Sequence, residues 1–198
     1  MIRSTNPKLG LLKTFRQFRT EDCASQIVEF ALSLPLLVVF VVGIFDFSGA
    51  ISLKQKLTNA AREGARVAAA DPATDLGASS APASVADAFW VINNYLSSEN
   101  VGTCGLTPST LAQTPGTLTW KGSATASPCG ASTAFVLTIN RACVKQQTVN
   151  GNTVNLVSSC VTIQYPYQWQ FNRVAGLVGR SVSGPSSLTT TAAAFNEN

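Results

Sequence analysis

From Phe30 to Ala50 the chain reads FALSLPLLVVFVVGIFDFSGA, with Ile27 and Val28 ahead of it, Ile51 and Leu53 beyond it, and Asp46 as its only charge. A helix of about 20 predominantly apolar residues crosses the hydrocarbon core of a bilayer, so the run predicts one transmembrane helix. It exceeds the roughly 7 to 15 apolar residues of a secretory signal, and it continues as an amphipathic helix instead of stopping at a cleavage site. Pro35 removes one backbone donor inside the run and predicts a kink or a broken turn between Ser33 and Leu36. Asp46 lies near the far end, where it either reaches the interfacial region or pairs with a partner inside an assembly.

Beyond the apolar run, Leu53, Leu57, Ala60, Gly64 and Val67 recur at spacings of three and four, which extends the same helix to Ala70. Asp71-Pro72 ends it, because the residue before proline is pushed out of the α region. A Gly/Ala/Ser/Pro loop reaches Pro82. A second helix is expected from Ser84, with Asp87 completing a capping-box-like start, to Ser97 or Ser98. Val85, Ala88, Phe89, Ile92 and Leu96 line one face of it, with Trp90 and Tyr95 beside that stripe.

Alternation rich in Thr, Val and aromatics predicts strands around Leu118 to Trp120, Ala134 to Lys145, Thr153 to Gln168 and Ser186 to Phe195, with Asn150-Gly151 as a hairpin signal. The predicted fold class is therefore α+β: a long N-terminal transmembrane helix continuing into an exported domain, where a second helix packs on a small antiparallel sheet. The expected organisation is a basic leader over 1–24, the membrane and continuing helix over 25–70, and the exported domain over 71–198.

Composition agrees with a membrane segment: 45% apolar, 12% charged, mean hydropathy +0.19. The net charge of +4 is uneven. Arg3, Lys8, Lys13, Arg16 and Arg19 precede the apolar run against only Glu21 and Asp22, and the remainder is nearly balanced. No basic stripe interleaved with aromatics appears, so nucleic acid is not expected as a partner. The chain has no histidine, the commonest general base and metal ligand. A serine with Lys121 or Lys145 is the best catalytic constellation on offer, and no spacing supports it. No catalytic residue, metal site, cofactor or small-molecule substrate is expected.

Lys54, Lys56, Arg62 and Arg66 follow the span almost as densely as basic residues precede it, so charge alone does not orient the helix. Cysteine usage does. Cys104, Cys129, Cys143 and Cys160 form an even set in the Ser/Thr-rich C-terminal part, which suits an oxidising compartment. Four cysteines allow three pairings. A four-residue loop, Asn150 to Thr153, places Cys143 opposite Cys160 and leaves Cys104 for Cys129; a two-residue Asn150-Gly151 turn places Cys143 opposite Ser158 instead. The expected bridges are Cys143 to Cys160 and Cys104 to Cys129. Their separations are too wide for paired zinc ligands.

The line Ser25-Gln-Ile-Val-Glu29-Phe30-Ala-Leu-Ser-Leu-Pro35, then Gly43-Ile-Phe-Asp46-Phe, then Asn59-Ala-Ala-Arg62-Glu-Gly-Ala-Arg66, resembles the N-terminal region of the TadE-like family. These are minor pseudopilins of the bacterial tight-adherence (Tad) pilus machinery. Tyr165-Pro-Tyr167 resembles a family feature more weakly. The resemblance implies that a prepilin peptidase removes the leader on the cytoplasmic side, leaving glutamate fifth in the mature chain. Counting back from Glu29 puts the cut between Ala24 and Ser25. Ala24 departs from the family's usual glycine but keeps a small residue there. Cleavage would also remove Cys23 and leave an even number of cysteines.

A carboxylate at the start of an apolar helix is costly unless paired. The new α-amino group at Ser25, four residues from Glu29, is a natural partner, in the same or a neighbouring subunit, with Phe30 in register beside it. The implied partners are the membrane, the peptidase, other pilin or pseudopilin subunits and the assembly platform. The implied location is the bacterial inner membrane, crossed once, with the N-terminus cytoplasmic and the C-terminal domain periplasmic. Gly43, Ser48, Gly49 and Ala50 are small enough for close helix approach. The alternative is a membrane-tethered extracytoplasmic binding module, in which Trp120, Tyr165, Tyr167 and Trp169 form a recognition face.

Overall fold

A computed structural model describes residues 8–72, 74, 76–77, 81–127, 129, 134–171 and 184–196, with side chains from Ser25 onward. Arg3 and the start of the leader lie outside these residues. One helix, α1, runs unbroken from Lys8 to Ala70. The expected division at residue 24 is therefore not a break in the backbone. Pro35 does not break it either: the helix continues through the position, and the Ser33 hydroxyl donates to the Phe30 carbonyl at 3.2 Å one turn earlier. From Ser25 the helix contains the one segment among the described residues that is long and apolar enough to cross a membrane.

The upper part of α1 is rich in alanine on one face, with Leu57, Ala60, Ala61, Ala65 and Ala68 all buried. Small side chains let a second helix, α2 (Ala83–Ser98), approach closely. Gly64 sets the closest point, where an added Cβ would lie 2.5 Å from Ile92 Cδ1. The predicted stripe Val85, Ala88, Phe89, Ile92 and Leu96 is buried as expected, whereas Trp90 stays half exposed. The start of α2 differs from the expectation. Pro82 occupies the N-cap, its carbonyl accepting the Val85 and Ala86 N–H groups, and Ser84 lies one residue inside the helix and is buried. Pro82 itself is extended (φ −66°, ψ 164°) and makes no side-chain cap hydrogen bond, and the helix begins at the next residue, Ala83.

The sheet is an antiparallel meander of five strands in sequence order: β1 (Ala112–Gln113), β2 (Thr119–Ala124), β3 (Phe135–Val149), β4 (Asn152–Pro166) and β5 (Ser187–Phe195). The two-residue β1, which no pattern in the sequence announces, follows a short 3-10 turn at Pro108–Thr110. Trp120, Phe135, Leu137, Ile139, Val161 and Ile163 bury one face of the sheet in the same cluster as the two helices. Each such side chain contributes roughly 1.5–3 kcal/mol by leaving water. α1 lies against β5 and β4, and Thr58 and Thr190 meet through their hydroxyls at 2.9 Å.

Asn150 and Gly151 form a two-residue turn, both with positive φ (50° and 80°), so Val149 faces Asn152 and Cys143 faces Ser158. The four-residue loop is thus overturned. Cys143 is nevertheless bridged to Cys160, at a Cα separation of 5.8 Å. The reason is an irregularity in β3 between Asn140 and Cys143. Asn140 faces Cys160 there, and the shifted register brings Cys143 diagonally within reach of the same residue. Cys104 is bridged to Cys129, Cα to Cα 5.5 Å.

Arg141 stands at that irregularity and is buried, its guanidinium donating to the Asp71 carbonyl (2.8 Å) and the Ser159 hydroxyl (3.4 Å). It ties the end of α1 to the sheet. Nothing in the local pattern marks this arginine as a core residue.

Candidate functional site

Two places on α1 carry chemistry. At the first, Ser25, Glu29 and Phe30 are all exposed, Phe30 to 64%. The side chain of Ala24 lies outside the described residues. Ser25 and Glu29 stand one helical turn apart, about 6 Å along the axis. Among the described residues no hydrogen bond or ion pair engages the Glu29 carboxylate. The most apolar stretch of the helix buries none of its length inside the molecule. Among the described residues nothing covers this stretch, which leaves its apolar side chains open.

The second place was not foreseen as a site. Asp46 lies sixteen residues after Phe30, which at 1.5 Å per residue is about 24 Å, close to the far boundary of a hydrocarbon core about 30 Å thick. It is 6% exposed. Its Oδ1 accepts the Tyr167 hydroxyl at 3.0 Å, and its Oδ2 accepts the Phe171 backbone N–H at 3.0 Å. The Tyr167 hydroxyl also reaches the Asp46 carbonyl at 2.9 Å. The pairing expected with another subunit is made instead within the chain, to the segment that follows β4, at the end of the apolar run where the interfacial reading also put it.

Glycine permits this approach. Gly43 and Gly49 stand three residues to either side of Asp46 on the same helix face; an added Cβ on Gly49 would lie 3.3 Å from the Tyr167 hydroxyl, and one on Gly43 4.0 Å from Phe171 Cδ2. Trp169 stacks edge-on against Tyr167 with ring centroids 4.8 Å apart, and its indole N–H donates to the Pro185 carbonyl at 2.7 Å. A small cavity of about 310 Å³ remains between Gly43, Asp46, Phe47 and this aromatic segment. Tyr and Trp are the residues that favour the membrane–water boundary, with an apolar ring and a polar tip.

The Tyr167 hydroxyl is made less acidic than an ordinary phenol, its pKa pushed up from 10.0 to about 12, first by desolvation and then by its hydrogen bond to Asp46 and the charge there. A phenolate would both lose the shared proton and face the carboxylate. Tyr165, packed edge-on against Phe135, is also raised, by burial.

The four aromatics proposed as a recognition face do not form one. Trp120 is fully buried, Tyr165 packs against the core cluster, and Tyr167 and Trp169 dock beside the membrane helix. Signals for the Asp46 site were present in hindsight: an acid flanked by glycines three residues away on each side, and a Tyr-x-Trp-x-Phe segment downstream.

Residues 24–66 match the family model of the TadE-like proteins. The matched stretch begins at Ala24, spans the exposed apolar helix and Asp46, and ends where α1 packs on α2. Neither curated proteins nor solved structures yield a match to the chain. The N-terminal region is thus TadE-like, which points to a component associated with the Tad pilus, and its apolar helix to a protein that crosses a membrane once.

Proposed function

We propose that the chain is a minor pseudopilin, a structural and non-catalytic component of a Tad-type pilus engaged in adherence or secretion. It crosses the inner membrane once, with residues 1–24 cytoplasmic and the domain over 71–198 outside. A prepilin peptidase cuts between Ala24 and Ser25, and the new amine at Ser25 pairs with Glu29 of its own or a neighbouring subunit. The observation that carries the reading is the family match over 24–66, which starts at the proposed cut and takes in the most apolar stretch of α1, none of which is buried inside the molecule. A lone carboxylate at the head of such a helix gains a partner by this cleavage.

Mass spectrometry of the membrane-extracted protein tests it. The expected mature chain begins at Ser25. A chain beginning at Met1 or Ile2, from cells that contain the peptidase, overturns the reading.

A further inference from the structure

β3 and β4 are each 15 residues long, but their neighbours cover only the lower half. β2 pairs with β3 only as far as Asn140, and β5 pairs with β4 only from Ser158 onward. The remaining ribbon, Cys143–Val149 with Asn152–Val157, projects beyond the sheet. A two-stranded hairpin is marginal in water by itself. This one is fixed at its root by the Cys143–Cys160 bridge and at its tip by a two-residue turn with both residues at positive φ.

The turn geometry decides which backbone groups are free. Val149 and Asn152 flank the turn and form a hydrogen-bonded pair, so alternation turns the N–H and C=O of Val144, Gln146 and Thr148 outward on β3. On β4 the outward residues are Thr153, Asn155 and Val157, and the Val157 carbonyl already accepts the Asn196 N–H at 3.2 Å. Among the described residues no chain outside the hairpin bonds the β3 edge between Cys143 and Val149. Natural edge strands are protected by charges, prolines or shortness. This edge has one charge, Lys145, and no proline. Valines stand exposed on both faces of the ribbon, Val144 (58%) and Val157 (53%) on one, Val149 (49%) and Val154 (41%) on the other.

We infer that the outer edge of β3 from Val144 to Thr148 is a docking site for an extended segment of another polypeptide, which adds a strand to the ribbon. Backbone donors and acceptors supply the pairing, and the exposed valines favour β-branched residues in the partner. Lys145, which has no ion-pair partner among the described residues, selects an acidic residue on its face. A second copy of this chain does not fit the edge in symmetric antiparallel pairing. Symmetric antiparallel pairing uses a two-fold axis normal to the sheet, and that axis would reverse α1, which lies on the sheet face, so the two membrane helices would point in opposite directions.

The test is hydrogen exchange on the full-length protein, in native membranes and after purification in detergent, together with a benzophenone photo-crosslinker at position 148. In membranes the fast-exchanging amides between Val144 and Thr148 should slow by about tenfold or more, and the crosslinker should trap one adduct on an extended segment of a different chain. Gln146→Pro removes an outward N–H without touching the internal ladder. It should abolish both signals while leaving the disulfides and thermal unfolding near wild type, and Lys145→Glu should weaken the adduct severalfold. Equal exchange in both preparations, an adduct that survives Gln146→Pro, or an adduct to a second copy of this chain overturns the inference. Cleavage at Ala24 is read by a separate measurement, so failure here leaves the pseudopilin proposal standing.

Discussion

The carboxylate of Asp46, inside the apolar run of α1, accepts the hydroxyl of Tyr167 at 3.0 Å from a residue 121 positions later in the chain. Together with the Phe171 N–H on the other oxygen, this closes the C-terminal domain onto α1 near the end of the apolar run. The segment Tyr167 to Phe171 is thereby fixed against α1 by side-chain and backbone hydrogen bonds.

Removing the hydroxyl in Tyr167→Phe should destabilise this junction by about 1.5–3 kcal/mol, the range for a hydrogen bond to a charged group. Asp46→Asn should cost less, because an amide oxygen still accepts one proton. Faster hydrogen exchange around Gln168 to Phe171, with the β3–β4 core unchanged, is the expected signature. The double variant should be less than additive if the two residues act as a pair.

The same pair sets a pH response. Because the folded Tyr167 titrates at about 12 against an ordinary 10.0, its contribution is fully present below pH 10 and is lost as pH rises towards and through 12. Ultraviolet titration should show Tyr165 and Tyr167 ionising late, and Asp46→Ala should bring the Tyr167 step alone part of the way down, since desolvation, the larger cause, remains.

The two disulfides close segments of similar length, with sequence separations of 25 for Cys104–Cys129 and 17 for Cys143–Cys160. Restriction of the unfolded chain is then worth about 3 kcal/mol for each. Serine replacement of either pair should lower thermal stability by comparable amounts. Loss of Cys143–Cys160 should in addition loosen the projecting ribbon, seen as faster exchange confined to residues 143–157.

Gly64→Val should cost on the order of 1–3 kcal/mol by overpacking, since even a Cβ lies 2.5 Å from the buried Ile92 side chain. Gly64→Ala should be milder, because alanine's helix preference of about 1 kcal/mol over glycine offsets part of the clash. Chemical denaturation in detergent separates the two.

Periodicity was enough for the long apolar helix, its continuation to Ala70, the buried stripe of α2, the four longer strands and the α+β class. These are regular elements whose pattern repeats within a few residues, so the chain itself records which face is buried. The TadE-like character of residues 24–66 was likewise legible, because its pieces lie in one continuous helix. Only the tertiary structure decided the rest. Cys143 meets Cys160 through a strand irregularity and not through the hairpin register, since a bulge shifts pairing without a signature of its own. Ser84 lost the cap to Pro82, since the helix begins at Ala83 and leaves Ser84 inside its first turn. Arg141 was drawn into the core because its guanidinium reaches a carbonyl 70 residues earlier. Asp46 looked like an isolated charge in an apolar run until folding brought Tyr167 and Phe171 against it: hydrogen bonds between residues more than a hundred positions apart leave no periodic trace in the sequence, and only the packing of the sheet onto α1 sets them within 3.0 Å.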